Sequence, residues 1–282
     1  MDHLNMTVPV GAIYGFIGEN GSGKSTTEKL ICGHLVPNQG TIRLFGKPYT
    51  DPGVRVRVGA LIENAGCFPG SSVYQNLMMQ AINLNLAEPD REIRRVLEIV
   101  RMDGEARTKF KKCSLGMKQR IGIAMALLGN PALLILDEPI NGLDTDGMRL
   151  MREILVDITE NCSATVLISS HILGELEKIA THYGIIRQGR MIQELSAMDM
   201  ESRARVFVSV KTGDMPRSKE LLRQKFGKVR EEDGYLRVYD VDEPEAIASC
   251  LLENGQSVRE IKKNKIGLEE YYVELMSRKE GA

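Results

Sequence analysis

A glycine-rich stretch near the start of the chain restricts the possible folds more than any other feature. The apolar segment AIYGFIG (residues 12–18) predicts a buried strand, and GENGSGKST (residues 18–26) overlaps its last residue. A helical pattern then runs from Lys24 to Leu35, and Val36-Pro37 ends it. A buried strand that turns through glycines into a helix is typical of an α/β fold whose turn holds phosphate.

The spacing of the glycines, a lysine and a serine fits the P-loop pattern, Gly18-x4-Gly23-Lys24-Ser25. In this pattern backbone N–H groups surround the phosphates, the lysine reaches the terminal phosphates and the hydroxyl binds Mg²⁺. We therefore predict a nucleotide site. Its predicted contact residues are Gly18, Glu19, Asn20, Gly21, Ser22, Gly23, Lys24, Ser25 and Thr26.

Further strands and helices alternate along the chain. ALLILDEP (residues 132–139) and ATVLISSH (residues 164–171) predict buried strands, with a helix from Met148 to Ile158 between them. This alternation predicts a mainly parallel sheet, whose ligands bind at the carboxyl ends of the strands. We also predict strands in TIRLFG (residues 41–46) and VRVRVGALI (residues 54–62).

Helical character returns between these strands, from Ser72 to Arg101, with Pro89-Asp90 as a helix start. The helical pattern continues through the 120s. After a polar stretch at residues 196–205, which we interpret as a linker, the pattern restarts as a small α+β unit without a chemical motif.

Two carboxylates stand at the end of the strand LLIL, where a phosphate-transferring site needs them. Asp137 is predicted to hold Mg²⁺ through water and Glu138 to activate the attacking water. A solvated Asp-Glu pair at a turn is the alternative. His171, after another strand, could reach a γ-phosphate or orient the base and its water, although a lone histidine is more often structural.

A second anion site is predicted at CSLGMKQR (residues 113–120), just before a helix. Ser114 and the backbone around Gly116 would lie at the helix N-terminus, which favours an anion, although an ordinary helix cap explains the same residues. The remaining composition adds exclusions. The net charge of -1 gives no global attraction to nucleic acid, and the five scattered cysteines indicate reduced thiols in a cytosolic protein.

No segment of the sequence is predicted to span a membrane. The longest uncharged run, residues 121–136, is interrupted by Gly129-Asn130-Pro131, and the N-terminus lacks the pattern of a secretion signal.

In order and spacing these motifs resemble the ATP-binding subunit of an ABC transporter over roughly residues 4–195. The matching motifs are the Walker A loop GENGSGKST, the signature SLGMKQR, the Walker B motif LLILDE, the D-loop Asn141-Gly142-Leu143-Asp144 and the switch histidine His171. The resemblance implies an ATPase that uses ATP and Mg²⁺. It also implies an α/β P-loop NTPase (RecA-like) core at residues 1–200, with a helical signature subdomain at about 64–128 and an accessory α+β domain at 206–282.

The resemblance also implies partners. Two copies would meet head to tail, so that Ser114 and Gly116 act on the nucleotide of the other copy, and Asp144 of the D-loop is also predicted to contact nucleotide. An integral permease of the ABC-2 type would hold this homodimer at the inner face of the cell membrane, and no nucleic acid is expected. A non-transporting ATPase that acts on ribosomes or DNA and a regulatory cassette without turnover are the alternatives.

Two positions depart from the family pattern. Glu63 stands where the family usually has a glutamine that touches Mg²⁺, the water and the membrane subunit, so the resemblance implies that Glu63 contacts the nucleotide and Mg²⁺. This acid is similar to that of exporters of bacitracin, lantibiotics and similar peptides, or is a tolerated near-isostere. An upstream strand and an adenine-stacking aromatic residue are also missing from residues 1–17, and Tyr14 cannot replace that aromatic residue. Either the chain is naturally short or the sequence as given starts late; we expect the late start, and with it a weakened nucleotide affinity.

Overall fold

The computed structural model describes residues 1–203, 206–265 and 267–277. The chain divides into two compact units, Met1–Ala197 and Met198–Ala282. The strands of the first unit are β1 (Ile13–Ile17), β2 (Arg43–Leu44), β3 (Lys47–Pro48), β4 (Val58–Leu61), β5 (Leu133–Asp137), β6 (Thr165–Ser170), β7 (His182–Arg187) and β8 (Arg190–Ser196).

Within residues 1–203, six of these strands form one sheet in the order β4-β5-β6-β1-β7-β8. The neighbours from β4 to β7 are parallel, and β8 pairs with β7 in the antiparallel sense. Strands β1, β5 and β6 are buried along nearly their whole length because both faces of the sheet are covered. This arrangement confirms the predicted α/β fold with a mainly parallel sheet.

The helices of the first unit and of the boundary are α1 (Lys24–Ile31), α2 (Pro52–Arg55), α3 (Val73–Asn83), α4 (Pro89–Ile99), α5 (Leu115–Leu127), α6 (Thr145–Asn161), α7 (Leu173–Leu176) and α8 (Ala197–Arg203). Helices α3, α4 and α5 lie between β4 and β5 in the sequence, and they pack against one another. Each of the three has a start signal in the sequence: Ser72 with Gln75 forms a capping box on α3, Pro89 opens α4, and Ser114 caps α5.

Several predicted boundaries were wrong, each for a local reason. The strand expected at residues 54–62 is only β4, because Asp51 caps a helical turn that Pro52 opens. The helical region expected from Ser72 to Arg101 consists of α3 and α4, and α4 begins at the predicted start, Pro89. Helix α1 ends at Ile31, short of Leu35, because Gly33 takes φ 72° and turns the chain out of the helix.

The second unit has the order β9 (Val206–Thr212), α9 (Met215–Phe226), β10 (Val229–Glu232), β11 (Tyr235–Tyr239), α10 (Pro244–Glu253), β12 (Val258–Lys265) and α11 (Leu268–Ser277). Its antiparallel sheet runs β10-β11-β9-β12 over residues 206–265, a ferredoxin-like βαββαβ arrangement. The core of this unit consists of Val208, Val210, Leu222, Val229, Leu236, Val238, Ile247, Cys250 and Leu251.

The division between the two units, at Ala197 and Met198, falls within the stretch 196–205 that we interpreted as a linker, but the described part of that stretch is structured. Ser196 ends β8 and α8 follows at once, with Met200 buried at 5% exposure; Ala204 and Arg205 lie outside the described residues. The charged residues of the described part of this stretch lie in a short helix, whose Met200 is buried.

Candidate nucleotide site

The glycines of the loop between β1 and α1 are required by its geometry. Gly21 and Gly23 have φ of 79° and 111°, in the left-handed region that favours glycine. A Cβ at Gly18 would lie 2.6 Å from the Ile186 carbonyl oxygen. The α1 N-cap is Gly23, which offers no side chain to the helix N-terminus, so the N–H groups there are left for a ligand.

The lysine of the loop is buried and turned toward the loop itself. Lys24 is 6% exposed, and its Nζ donates to the carbonyl oxygens of Gly18 at 2.6 Å and Glu19 at 3.2 Å. Ser22 Oγ is buried without a hydrogen-bond partner among the described residues. A lysine ammonium, an unpartnered hydroxyl and an open helix N-terminus are the donor set that a phosphate requires, so the loop fits a nucleotide.

The other predicted loop residues are more open to solvent. Glu19, Asn20, Gly21 and Thr26 are exposed, whereas Gly18 is buried beneath the loop. The buried part of the loop therefore holds Lys24, and the exposed part lies where a ligand can approach.

A hydroxyl and a carboxylate meet at the predicted metal position. Ser25 Oγ donates to Asp137 Oδ2 at 3.0 Å, and Ser169 Oγ donates to Asp137 Oδ1 at 2.7 Å. These oxygens form a donor set suited to a hard divalent cation such as Mg²⁺. Strands β5 and β6 bring Asp137 and Ser169 together, because these two residues are directly paired in the sheet.

The predicted base and the predicted switch histidine are in contact. Glu138 Oε2 lies 2.7 Å from His171 Nδ1, and Glu138 Oε1 lies 3.9 Å from Lys24 Nζ. The Glu138 backbone has φ 51°, and its N–H donates to Ser169 Oγ at 3.1 Å. The carboxylate is 22% exposed. Glu138 is thus fixed by its backbone and by both carboxylate oxygens, while solvent can still reach it.

The predicted signature and D-loop residues form a separate group. Ser114 caps α5 by accepting from the Met117 N–H at 3.2 Å, and Asp144 caps α6 by accepting from the Gly147 N–H at 2.8 Å. Ser114, Gly116 and Asp144 line one cavity of about 360 Å³ between these helix starts. Among the described residues, none of the loop 18–26 lines it.

Sequence and structural comparisons place this geometry in a known family. A family model described as "ABC transporter" matches residues 1–141. The chain is 36% identical to the bacitracin transport ATP-binding protein BcrA of Bacillus licheniformis, over 98% of this chain and 92% of that protein.

The chain belongs to the ABC transporter family.

Two further comparisons agree. The lantibiotic transport ATP-binding protein SrtF of Streptococcus pyogenes is 38% identical over 69% of this chain and 83% of its own length. The solved structure of cbiO1 from Clostridium perfringens, part of the ABC transporter complex cbiONQ, matches with a TM-score of 0.65 and 27% identity over 71% of this chain and 83% of that chain.

This ABC subunit binds ATP and is an ATPase, as the family and the loop geometry together show. Its relatives are ATP-binding components of transporters, which supports a transport subunit over the non-transporting alternatives. In the described part of the chain, each helix is too short or too polar to cross a bilayer.

Two residues of this ABC ATPase that depart from the expected pattern have defined places. Glu63 Oε1 accepts from Lys29 Nζ at 2.6 Å, and the carboxylate is 63% exposed. Tyr14 is 1% exposed and its hydroxyl donates to Glu194 at 2.6 Å, which confirms that its ring is not available to stack on adenine. Residues before β1 also contact the sheet, since Leu4, Met6 and Val8 pack against the cluster that contains Tyr14.

Sequence reasoning missed one acidic residue of the site, Glu28 on α1. The residue is fully buried, and neither carboxylate oxygen has a hydrogen-bond partner among the described residues. Burial, and next the charge of Asp137, raises its pKa to about 8. The signal was present in the sequence: Glu28 lies four residues after Lys24, on the same face of a helix whose lysine must point inward.

Proposed function

We propose that this chain powers the export of a peptide antibiotic, or a similar drug-like compound, through a separate ABC-2-type permease. The observation that carries this proposal is the similarity to BcrA along almost the whole of both chains, beyond the ATPase unit. The similarity to the lantibiotic protein SrtF supports the same class of cargo. The chain would then work at the inner face of the membrane, held there by its permease.

In this proposal the loop binds the phosphates of ATP. Lys24, the N–H groups at the start of α1 and the Ser22 hydroxyl would donate to phosphate oxygens. Ser25 and Asp137 would hold Mg²⁺, which when bound neutralises charge on the phosphates. Lys24 must leave the carbonyl oxygens of Gly18 and Glu19 to do so, and a phosphate is the stronger acceptor.

Hydrolysis needs a positioned water and a base. Glu138 is suited to take the proton of the water, since its carboxylate is partly exposed and lies beside both Lys24 and His171. His171 would orient Glu138 and the γ-phosphate through the 2.7 Å contact. In the site arranged in this way, the water would attack the terminal phosphate in line with the leaving group.

We further propose that two copies form the working unit. Ser114, Gly116 and Asp144 line a cavity apart from the loop 18–26, so their predicted contact with nucleotide is made to the ATP of a second copy. The start of α5 would then supply N–H groups to that ATP. Binding of ATP would close the dimer and hydrolysis would open it.

The substitution Glu138→Gln tests the catalytic part of this proposal. We expect ATP binding to persist while ATP turnover falls by about a hundredfold or more, because the amide cannot accept the proton. The variant should accumulate as a dimer with ATP, measured by light scattering after size exclusion. Lys24→Ala serves as the control, which should lose ATP binding and remain a monomer. Unchanged turnover in Glu138→Gln would remove Glu138 from the role of base.

A second experiment tests the cargo. A sensitive bacterium that produces this chain together with its permease should tolerate more bacitracin or lantibiotic than a strain that carries the permease and the Lys24→Ala variant. Equal sensitivity of the two strains toward both compounds would contradict the proposed class of cargo, while leaving the ATPase activity untouched.

A further inference from the structure

The serine at position 169 lies between two parts of the nucleotide site. Strand β6 is placed between β5, which ends at Asp137, and β1, which leads into the phosphate loop. Near the carboxyl end of β6, Ser169 pairs with Asp137 on one side and with Phe16 on the other, and it is fully buried. A buried hydroxyl is unfavourable unless it is hydrogen-bonded, so its partners decide what Ser169 contributes.

The Ser169 hydroxyl forms hydrogen bonds with two consecutive acidic residues. It donates to Asp137 Oδ1 at 2.7 Å and accepts from the Glu138 N–H at 3.1 Å. The same N–H also donates to the Ser169 carbonyl oxygen at 3.2 Å, so it is shared between two oxygens of one residue. A single serine therefore holds the proposed Mg²⁺ ligand by its side chain and the proposed base by its backbone.

The contact with Asp137 determines how that carboxylate is turned. Ser169 binds Oδ1, whereas Ser25 Oγ, in the first turn of α1, donates to Oδ2 at 3.0 Å. The torsion that rotates a carboxylate has a broad profile, so hydrogen bonds and not the rotamer fix its plane. Ser169 therefore leaves Oδ2 facing Ser25, the other proposed Mg²⁺ ligand.

The contact with Glu138 supports an unfavourable backbone conformation. Glu138 has φ 51°, and a residue with a side chain keeps such a conformation only where its surroundings hold it. The Ser169 Oγ supplies an acceptor for the N–H of this residue. Because Glu138 Oε2 lies 2.7 Å from His171 Nδ1, a shift of this backbone would displace the proposed base from its partner.

We propose that Ser169 is a positioning residue that couples the Mg²⁺ ligand Asp137 to the base Glu138. Its hydroxyl sets the plane of the Asp137 carboxylate and supports the backbone of Glu138 at the same time, so metal binding and activation of water depend on one support. The proposal rests on the function proposed above for these two acidic residues. It predicts that loss of the hydroxyl affects both steps together and spares the binding of the phosphates themselves.

Ser169→Ala in the full chain tests the coupling. The Kd for ATP is measured in EDTA and in excess MgCl₂, and kcat is taken from steady-state hydrolysis. We expect the Kd in EDTA to stay within about twofold of the parent value, because Lys24 and the N–H groups at the start of α1 are unchanged. The Kd in MgCl₂ should rise about tenfold and kcat should fall about tenfold or more, as is usual when a partner of a metal ligand is removed.

Thr165→Val is the matched control. Thr165 carries another buried hydroxyl of β6, at the opposite end of the strand, where it accepts from the Gly11 N–H at 2.9 Å. Both variants should be less stable to urea than the parent, because each removes a hydrogen bond of a buried hydroxyl. Only Ser169→Ala should change the Kd in MgCl₂ and kcat.

The role of Ser169 is overturned if Ser169→Ala keeps the Kd in MgCl₂ and the kcat of the parent. It is also overturned if the Kd rises equally in EDTA and in MgCl₂, or if Thr165→Val has the same effect, since both results indicate a general loss of structure. A change in only one of the Kd in MgCl₂ and kcat contradicts the coupling. A parent protein that hydrolyses ATP alongside any of these results removes this inference alone, whereas a parent without ATPase activity removes the proposed function as well.

Discussion

At the scale of single residues, the buried carboxyl group of Glu28 carries a free-energy penalty on ionisation. Burial of this carboxyl group favours its neutral form, and the negative charge of Asp137 adds to the penalty on ionisation. The folded protein therefore favours the protonated form of Glu28 next to the nucleotide site. This has a measurable effect on the pH dependence of stability.

Glu28→Gln should remove that pH dependence. Because the folded pKa of about 8 lies above the unfolded value of 4.5, the unfolded chain releases the proton first, and the free energy of unfolding falls as pH rises from about 4.5 to 8. The loss is on the order of several kcal/mol. We expect the nucleotide-free Gln variant to exceed the parent in stability at pH 9 and to lose that advantage at pH 5.

Urea unfolding at the two pH values measures this difference. Gln39→Glu is a useful control, because it places a carboxyl group at an exposed position in the loop after α1 and should not add a comparable slope. A parent protein whose stability is constant between pH 5 and 9 would show that Glu28 is ionised without penalty, contrary to its burial.

At the scale of elements, the sequence predicts the elements that have a long hydrophobic pattern, and the loops and caps whose geometry requires particular residues. The strands β1, β5 and β6 and the glycine loop belong to this group, as does the capped start of α5. Short elements do not. Helices α2 and α8 have four and seven residues, too few for a helical period to be distinguished from a strand or a linker.

Contacts between side chains of elements far apart in the sequence could not be predicted either. Nothing in the pattern of α1 tells that Lys29 meets Glu63, since this contact depends on how α1 lies across the edge of the sheet. The contact between Glu138 and His171 was within reach, because both follow strands of one parallel sheet. The strand pattern therefore predicts the site residues at the carboxyl ends of the strands, whereas the site residues on the helices were missed.

The capping box of α3 provides a prediction at this scale. The Ser72 Oγ accepts from the Gln75 N–H at 3.1 Å, and the Gln75 side chain accepts from the Ser72 N–H at 2.8 Å. Ser72→Ala should lower the free energy of unfolding by about 1 kcal/mol. Chemical denaturation measures the change, and Ser71→Ala, which leaves the cap intact, should change it by less than about half as much. Equal effects of the two substitutions would show that the cap does not stabilise α3.

At the scale of the whole molecule, each unit has a core of its own. The cluster that contains Leu222 and Leu236 draws only on residues of the second unit. The nucleotide loop, the proposed base and the cavity at Ser114 all belong to residues 1–197. ATP chemistry and the integrity of the second core are therefore expected to be separable.

Leu236→Ala tests this separation. Leu236 is fully buried, so the substitution should destabilise the second unit by about 2–5 kcal/mol through lost burial and a cavity. The affinity for ATP should stay within about twofold of the parent value in an equilibrium titration. Leu134→Ala, in the strand that ends at Asp137, is the contrasting variant and should weaken both stability and ATP binding. A large loss of ATP affinity in Leu236→Ala would show that the two units are energetically coupled.

The left-handed backbone of Glu138 has a consequence for how this protein can change over generations. A non-glycine residue at φ 51° carries local strain, which glycine would relieve at that position. Glu138→Gly is then a substitution that relaxes the backbone while removing the proposed base. Stability and the proposed activity therefore favour different residues at this position, so a lineage released from the need to hydrolyse ATP is expected to lose this glutamate early.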